Sequence, residues 1–258
     1  MTDDHVFIFG GPRNGSWHYQ YARCQSDPVL YSGLEDLDWD TDNKREYPHT
    51  TAYSTVFRKG KDPLYQSMEF IADTGVFNLF ESACLQPPEI FMDNADMIES
   101  QGRRLIAKCY PHSYGLCDIL EHQKVYIRRP LASQWRSFAL ANMSQRWQWE
   151  EGDIVPDQVS TDNINKEQIT KSFIEKMTSV YMFYQQNHQD SNFTTISFED
   201  VMSMDCNSPL LPSPKFNLTE EAEEYLEDLT PFKTSFLSIE EDEQNKMTLM
   251  ELEEKTFQ

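Results

Sequence analysis

Short apolar runs bounded by turn-forming residues predict buried strands along this chain. The run HVFIF at 5–9 is continuous and ends at a Gly-Gly-Pro turn, which is typical of a strand inside a sheet. Similar runs lie at 103–110 and 123–129, and 51–57 fits a further strand. The segment 192–200 is rich in β-branched residues and predicts a late strand.

Apolar positions with helical spacing fill most of the remaining chain. The clearest example is 165–187, where six apolar or aromatic residues fall on one stripe. The segment 130–147 opens with a proline, which is tolerated at the first position of a helix. Further helices are predicted at 15–23, over much of 62–85, and at 219–229.

The alternation of strands and helices predicts an α/β fold. We expect a three-layer α/β/α arrangement with a mainly parallel central sheet, whose ligands bind beyond the carboxyl ends of the strands. Residues 26–50 are acidic and rich in turn formers, so they predict a long surface excursion. We expect a main domain over 1–212 and an acidic, partly helical extension over 213–258 that packs on it.

Charge is distributed very unevenly. The net charge is -21, every arginine lies within the first 146 residues, and residues 151–258 hold 7 Lys against 23 Asp and Glu. A broad basic surface for nucleic acid is therefore not expected, although a few local arginines suffice for a small anion.

No stretch approaches the roughly 18–20 apolar residues of a membrane helix, and the start of the chain does not have the pattern of a secretion signal. The five cysteines are scattered without CxxC spacing, which favours reduced thiols and argues against a zinc site. We therefore expect a cytoplasmic protein with no membrane partner.

The loop after the first strand has the glycine spacing of a phosphate-binding loop. Gly10 and Gly15 are separated by four residues, but Ser16 and Trp17 replace the Lys and Ser/Thr of ATP- and GTP-binding loops. The positive charge lies inside the loop, at Arg13. Backbone N–H groups and the helix dipole fit an anion here, and a plain strand-to-helix turn is the alternative.

A second cationic group follows the strand at 123–129. Arg128 and Arg129 end that strand, and Ser137 lies about two turns into the next helix. Two guanidinium groups and a hydroxyl suit a second phosphate, whereas a pair of surface arginines bound to carboxylates is the alternative.

These two segments resemble the nucleotide-binding signatures of sulfotransferases that use 3′-phosphoadenosine-5′-phosphosulfate (PAPS). FIFGGPRNGSW resembles the first signature, with Asn14 in place of its usual Ser. VYIRRPLASQWRSFALA resembles the second, and its Gln134 and Ala141 are closest in style to bacterial carbohydrate sulfotransferases. TTISFEDVM at 194–202 is similar to a late strand and turn of the family, with Phe198 for Tyr.

The resemblance implies a P-loop NTPase-like fold and transfer of a sulfuryl group from PAPS to a hydroxyl of a small molecule or carbohydrate, with no metal required. The 5′-phosphosulfate would be held by the first loop, which comprises Pro12, Arg13, Asn14, Gly15, Ser16 and Trp17. The 3′-phosphate would be held by Arg128 or Arg129 together with Ser137.

Catalysis of this kind needs a base for the acceptor hydroxyl and a cation at the leaving oxygen. Lys108 is the expected second cation, and it lies near the family's Lys-Thr-His segment. The histidine of that segment would fall on Tyr110, so His112 is the nearby substitute for it. His18 is a further candidate base. Glu35 and Glu69 are carboxylate alternatives, and Cys109 is expected to serve packing.

Two other functions stay open from the sequence. One is a kinase or other nucleotide phosphotransferase with a degenerate loop, against which the missing Gly-Lys-Ser/Thr argues. The other is a non-catalytic binding or assembly protein on the same scaffold. The FRKG at 57–60 matches a motif that many family members carry near the C-terminus, and its early position makes it a chance match.

Overall fold

The structure is a computed structural model. It describes residues 5–27, 29–31, 102, 104–108, 122–147, 149, 152–206, 213–238 and 246–257. These residues divide into two compact units. Unit 1 contains those within Met1–Gly10, Gly15–Ile127 and Gln189–Asn207. Unit 2 contains those within Gly11–Asn14, Arg128–His188 and Ser208–Gln258.

The strands in chain order are β1 (Val6–Phe9), β2 (Leu30–Tyr31), β3 (Arg104–Lys108), β4 (Gln123–Arg128), β5 (Phe193–Ser197), β6 (Phe236–Ser238) and β7 (Lys246–Thr248). The helices in chain order are α1 (Ser16–Ser26), α2 (Leu131–Met143), α3 (Lys166–Asn187), α4 (Phe198–Ser203), α5 (Glu220–Glu227), α6 (Thr230–Thr234) and α7 (Leu249–Phe257).

Unit 1 is built on a five-stranded sheet with the order β2-β3-β1-β4-β5. β1 pairs in parallel with β3 on one side and with β4 on the other, and β2 pairs in parallel with β3. Ile8 lies opposite Lys108 and Val125. The predicted mixed α/β class with parallel strands is therefore confirmed for the part of the chain that the structure describes.

The central place of β1 follows from its sequence. All four of its residues are buried, as expected for a strand covered on both faces. Val6 and Ile8 pack with Ile106 of β3 and Val125 of β4 in one apolar cluster. Tyr19 of α1 and Val201 of α4 belong to the same cluster, so these helices cover that face of the sheet.

The late strand is shorter than the pattern predicts. It was expected to reach residue 200, but it ends at Ser197 and α4 begins at once. The Ser197 hydroxyl accepts a hydrogen bond from the Asp200 N–H at 3.0 Å, and Glu199 and Asp200 lie in the first turn. Such a capped, acidic first turn stabilises a helix more than an extended strand.

Unit 2 is mainly helical, and aromatic side chains form its core. Trp135 of α2 packs edge-on against Phe232 of α6 with ring centres 5.1 Å apart, and Phe173 of α3 contacts both rings. α5 packs on α2, and α7 packs on α3 and α6. The helices predicted at 165–187 and 219–229 are confirmed as α3 and α5, and the helix predicted at 130–147 is present as the shorter α2.

The end of the described chain contains structure that the pattern did not predict. β6 and β7 form an antiparallel pair, and α7 follows β7 without a break. Thr248 and Glu251 form a reciprocal cap: the Glu251 N–H donates to the Thr248 hydroxyl at 3.3 Å, and the Thr248 N–H donates to the Glu251 carboxylate at 2.7 Å. These bonds from Thr248 lower the pKa of Glu251.

Several predictions lie outside the described residues. They are the strand at 51–57, the helix at 62–85, and most of the excursion at 26–50. The division of the chain at residue 212 stays a prediction, although α5, α6 and α7 pack within unit 2.

Gly15 and Gly152 offer a matched test of crowding at the start of α1. Both have positive φ, at 85° and 88°. A Cβ on Gly15 would lie 3.1 Å from the Phe198 ring, whereas a Cβ on Gly152 would meet no atom of the described residues within 4 Å. We expect Gly152→Ala to lower the free energy of unfolding by about 1 kcal/mol through backbone strain alone. Gly15→Ala should cost about 1 kcal/mol more, because Phe198 must move. Urea unfolding measures both, and equal losses would contradict the crowding at Gly15.

Candidate functional site

The loop after β1 adopts backbone conformations that are rare for ordinary residues. Gly10 and Gly15 have positive φ, and so does Arg13, at 65°. A left-handed arginine costs about 1 kcal/mol, and such strain is concentrated at functional sites. Two side chains from the region after β4 hold this part of the loop. Arg129 Nη1 donates to the Arg13 carbonyl at 2.6 Å, and Gln134 Nε2 donates to the Pro12 carbonyl at 2.7 Å.

α1 begins directly after the glycine loop, which is the position of the helix in an anion-binding loop. Its N-cap is Gly15, which has no side chain for capping, and its first turn contains no acidic residue. The positive end of the helix dipole is therefore not neutralised by a carboxylate of its own first turn. Asn14 and Ser16, on either side of the cap, are both buried.

The Arg13 guanidinium is bound by three oxygen atoms within unit 2. Nε donates to the Ser137 hydroxyl of α2 at 3.2 Å, Nη2 donates to the Ser213 hydroxyl at 3.2 Å, and Nη1 donates to the Trp147 carbonyl. Arg129 also reaches α2, because its Nε donates to the Ser133 hydroxyl at 3.0 Å. Arg13, Arg129 and Ser137 thus form one cluster, which we call the arginine cluster.

The end of α2 explains how the Trp147 carbonyl reaches Arg13. The helix was predicted to run to residue 147, but it ends at Met143 because Gln145 turns to a left-handed φ of 58°. Arg146 N–H donates to the Ala141 carbonyl at 3.0 Å, and Gln145 N–H donates to the Asn142 carbonyl at 3.2 Å. This is the Schellman pattern, which reverses the chain at the end of a helix.

Among the described residues, the positive charge of Arg13 is not neutralised by a carboxylate. Burial and the neighbouring positive charge of Arg129 lower the pKa of Arg13 to about 10. Its hydrogen bonds go to two hydroxyls and a backbone carbonyl, and no carboxylate forms an ion pair with it within the described residues. A desolvated cation beside a second cation is a site that an anion would stabilise.

Arg128 and Arg129, which the sequence left as alternatives, are separated by the fold. The Arg128 side chain is exposed, and its guanidinium lies 4.1 Å above the ring of Phe257 in α7. Next to it, Glu253 of α7 accepts a hydrogen bond from the Leu131 N–H at 2.9 Å. Burial raises the pKa of Glu253. Arg129, not Arg128, is therefore the residue that joins Arg13 and Ser133.

The structure describes only some of the candidate catalytic residues. His18 lies in the first turn of α1, where Nε2 is 3.0 Å from the Met204 carbonyl and the ring contacts the Cys206 thiol. Lys108 ends β3 opposite Ile8, and its side chain lies outside the description. Three predicted candidates, and one cysteine, lie outside the described residues: His112, Glu35, Glu69 and Cys109. Their proposed roles stay predictions.

Two hydrogen-bond partners of Arg13, the Ser213 hydroxyl and the Trp147 carbonyl, have no signal in the sequence. Ser213 lies 76 residues after Ser137 in a Ser-Pro-Lys segment that shows no helix or strand signal. The Trp147 partner is a backbone carbonyl, which every residue carries, so no side-chain pattern identifies it.

No protein-family model matches this chain, and no curated protein is significantly similar to it. Among the residues described, the longest apolar helical stretches are too short or too polar to cross a membrane. The same residues contain no group of three or more His, Cys, Asp or Glu side chains arranged to hold a metal ion.

Proposed function

We propose that this protein is a PAPS-dependent sulfotransferase that acts on a hydroxyl of a small molecule or carbohydrate. The observation that carries the proposal is the arginine cluster. Arg13 and Ser137 are 124 positions apart in the chain and lie within hydrogen-bonding distance, and Arg129 binds the backbone of Arg13. Both sequence segments that resemble the family's signatures contribute to this one cluster.

The donor nucleotide suits the chemistry of these residues. It carries phosphate groups at both its 3′ and 5′ positions, and guanidinium groups bind such oxygens with paired, charge-assisted hydrogen bonds. Arg13 would hold the 5′ end, and Arg129 with Ser137 would hold the 3′-phosphate. When the nucleotide binds, Arg13 would exchange its hydroxyl partners for phosphate oxygens, which would balance its charge.

The sheet of unit 1 is consistent with the P-loop NTPase-like arrangement that we propose. β1 is central, and the chain continues to strands on opposite sides of it, since β3 and β4 are its two neighbours. In parallel α/β sheets, ligands bind beyond the carboxyl ends of the strands at such a switch point. The loop at 10–15 and the segment beginning at Arg128 follow these strands directly.

PAPS supplies an activated sulfuryl group and leaves as 3′,5′-adenosine bisphosphate. In this scheme Arg13 and Arg129 bind the donor and neutralise negative charge that increases during transfer. The acceptor hydroxyl needs a base, which we continue to place at His112 or His18, and Lys108 would supply a second cation at the leaving oxygen. We also propose that the protein acts in the cytoplasm, in agreement with its scattered cysteines.

Titration calorimetry with three nucleotides tests the proposal. We expect 3′,5′-adenosine bisphosphate to bind in the absence of magnesium, with a dissociation constant at least tenfold lower than that of ATP. The 3′-phosphate accounts for the difference, because only the bisphosphate engages Arg129 and Ser137 while retaining a 5′-phosphate.

Each contrary outcome identifies a different function. Binding of ATP that requires magnesium would contradict the proposal and favour the phosphotransferase. Failure of both nucleotides to bind would contradict it and favour a non-catalytic scaffold. Bisphosphate binding without transfer from labelled PAPS to any of a panel of hydroxyl acceptors would support the nucleotide site and contradict the enzymatic role.

A further inference from the structure

An exposed serine lies against the arginine cluster within unit 2. The Ser213 hydroxyl accepts a hydrogen bond from Arg13 Nη2 at 3.2 Å, and Ser213 is exposed. The two residues are 200 positions apart in the chain, so only the fold brings them together. This contact places a hydroxyl that another protein can reach directly beside the guanidinium group of Arg13.

Ser213 differs in its backbone from the two other serines that bind these arginines. Ser133 and Ser137 lie on α2, so their backbone is helical. Ser213 belongs to no helix or strand, and Pro214 follows it. The residue before a proline is restricted to extended conformations, and the proline has no backbone N–H to bond. A protein kinase that binds its substrate as an extended chain can therefore reach Ser213 but not the serines of α2.

The positive charge of Arg13 favours a phosphate on this hydroxyl. Burial of the guanidinium, together with the nearby charge of Arg129, lowers the pKa of Arg13 to about 10. Within the described residues its hydrogen bonds go to two hydroxyls and a backbone carbonyl, which carry no negative charge. A phosphoserine carries a charge of about −1.5 to −2 at pH 7 and has three strong acceptor oxygens. Opposite two arginines, such a group forms charge-assisted hydrogen bonds.

We propose that Ser213 is a phosphorylation site and that its phosphate binds the Arg13 guanidinium. In the modification, Ser213 Oγ attacks the γ-phosphorus of ATP in the active site of a proline-directed protein kinase. A new bond forms between Oγ and phosphorus, and the bond from that phosphorus to the bridging oxygen of ADP breaks. The hydroxyl proton passes to the catalytic carboxylate of the kinase, and ADP leaves.

The phosphate on Ser213 regulates the nucleotide site by competing for Arg13. This consequence rests on the proposed function, in which Arg13 binds the 5′-phosphate of the donor. A guanidinium that is paired with the phosphoserine is not available to the nucleotide, and the two phosphates repel each other. Phosphorylation therefore lowers the affinity for the donor nucleotide, and removal of the phosphate restores it.

Phosphorus NMR tests the contact between the phosphate and Arg13 without any nucleotide. Phosphoserine is incorporated at position 213 of the full-length chain by genetic encoding, and the second pKa of its phosphate is read from the ³¹P chemical shift during a pH titration. The ordinary value of this pKa is about 6. We expect it to lie at about 5 or below in the native protein, because a neighbouring positive charge favours the fully ionised phosphate.

Arg13→Met in the phosphorylated chain identifies the residue that causes the shift, and the phosphate pKa should return to about 6. Arg136→Met is the matched control, because Arg136 is exposed on α2, and this variant should keep the low pKa. If Arg13→Met does not fold, the phosphorylated wild-type chain unfolded in urea supplies the unshifted reference. A phosphate pKa in the native wild type equal to that of either reference would overturn the proposal.

Thr230 is a matched control for access by the kinase. It is exposed and precedes a proline, as Ser213 does, but it begins α6, whose Phe232 is fully buried. A purified proline-directed kinase acts on the native protein and on two peptides with the same local sequences, and mass spectrometry quantifies both phosphosites. The ratio of Ser213 to Thr230 phosphorylation should be at least about tenfold higher in the native protein than in the peptides, because Thr230 requires local unfolding. Equal ratios, or no phosphate on Ser213, would overturn the proposal.

Titration calorimetry with 3′,5′-adenosine bisphosphate tests the effect on the nucleotide site. The phosphorylated protein should bind this ligand at least about tenfold more weakly than the unmodified protein, and treatment with a phosphatase should restore the affinity. Equal affinities would overturn the regulatory role. Failure of the unmodified protein to bind the bisphosphate would instead contradict the proposed function, and the NMR titration would still decide whether the phosphate binds Arg13.

Discussion

Arg129→Ala is expected to weaken binding of 3′,5′-adenosine bisphosphate by about 100-fold while leaving 5′-AMP within about threefold of wild type. A charge-assisted, paired hydrogen bond from an arginine to a phosphate contributes about 1.5–3 kcal/mol, which corresponds to a 10- to 150-fold change in affinity. Only the bisphosphate carries the 3′-phosphate that we assign to Arg129. Titration calorimetry with both ligands measures the difference.

Arg128→Ala is the matched control, because it removes the same side chain from the preceding position. The Arg128 guanidinium lies over Phe257, so this variant should bind both nucleotides like the wild type. A larger loss of bisphosphate affinity in Arg128→Ala than in Arg129→Ala would reverse our assignment. Equal losses for both nucleotides in Arg129→Ala would show that this residue does not recognise the 3′-phosphate.

Arg13→Met is expected to lower the affinity for bisphosphate and for 5′-AMP by similar factors, each between about 10- and 150-fold. The reason is that the 5′-phosphate, which we assign to Arg13, is common to both ligands. The free energy of unfolding without ligand should remain within about 1 kcal/mol of wild type. Calorimetry measures the affinities, and urea unfolding measures the stability.

The small stability change follows from two opposing contributions. The lowered pKa of about 10 means that the charged form of Arg13 is disfavoured in the folded state by about 3 kcal/mol, and methionine removes that cost. Methionine also removes three hydrogen bonds, at about 1 kcal/mol each. Loss of affinity with little loss of stability is typical of a residue retained for binding.

The lowered pKa of Arg13 makes the free energy of unfolding depend on pH at high pH. Between pH 10 and the ordinary pKa of arginine, the unfolded chain keeps the Arg13 proton and the folded protein has lost it. The contribution of Arg13 to the free energy of unfolding therefore rises with pH between these two values. Below pH 10, the burial of the charged guanidinium lowers the free energy of unfolding by its full amount. Arg13→Met removes this contribution.

Arg136→Met provides the control for Arg13→Met. Arg136 is exposed on α2, one residue before Ser137, and its replacement should change neither the affinity nor the stability beyond about 0.5 kcal/mol. An Arg13→Met variant that is more than about 2 kcal/mol less stable than wild type, with unchanged affinity per folded molecule, would identify Arg13 as a structural residue instead.

The local pattern identified many of the strands and helices that the structure describes. The continuous apolar run of β1 and its Gly-Gly-Pro ending predict a central strand followed by a tight loop, and the stripe on α3 predicts a helix. The charge of Arg13 and the hydroxyl of Ser137 also led to the prediction that both residues bind anions. The Thr248–Glu251 cap was a readable signal for α7, because Thr-x-x-Glu is the residue pattern of a capping box.

Other features depend on contacts between distant parts of the chain. Ser197 and Gln145 end their elements earlier than the apolar pattern indicates, because hydrogen bonds at the termini compete with local propensity. The pairing of Cys206 with His18 likewise has no local signal, since each residue is unremarkable within its own segment.

The sequence by itself determined the strands β1, β3, β4 and β5, the helices α1, α2, α3 and α5, the glycine loop after β1, and the presence of cations in two segments. It did this because backbone sterics and the burial of apolar stripes act over a few neighbouring residues. Only the tertiary structure shows that the Arg129 side chain binds the Arg13 carbonyl, whereas the Arg128 side chain lies over Phe257. Successive side chains at the end of an extended strand point in opposite directions, and which direction reaches Phe257 or Arg13 depends on segments more than a hundred residues away.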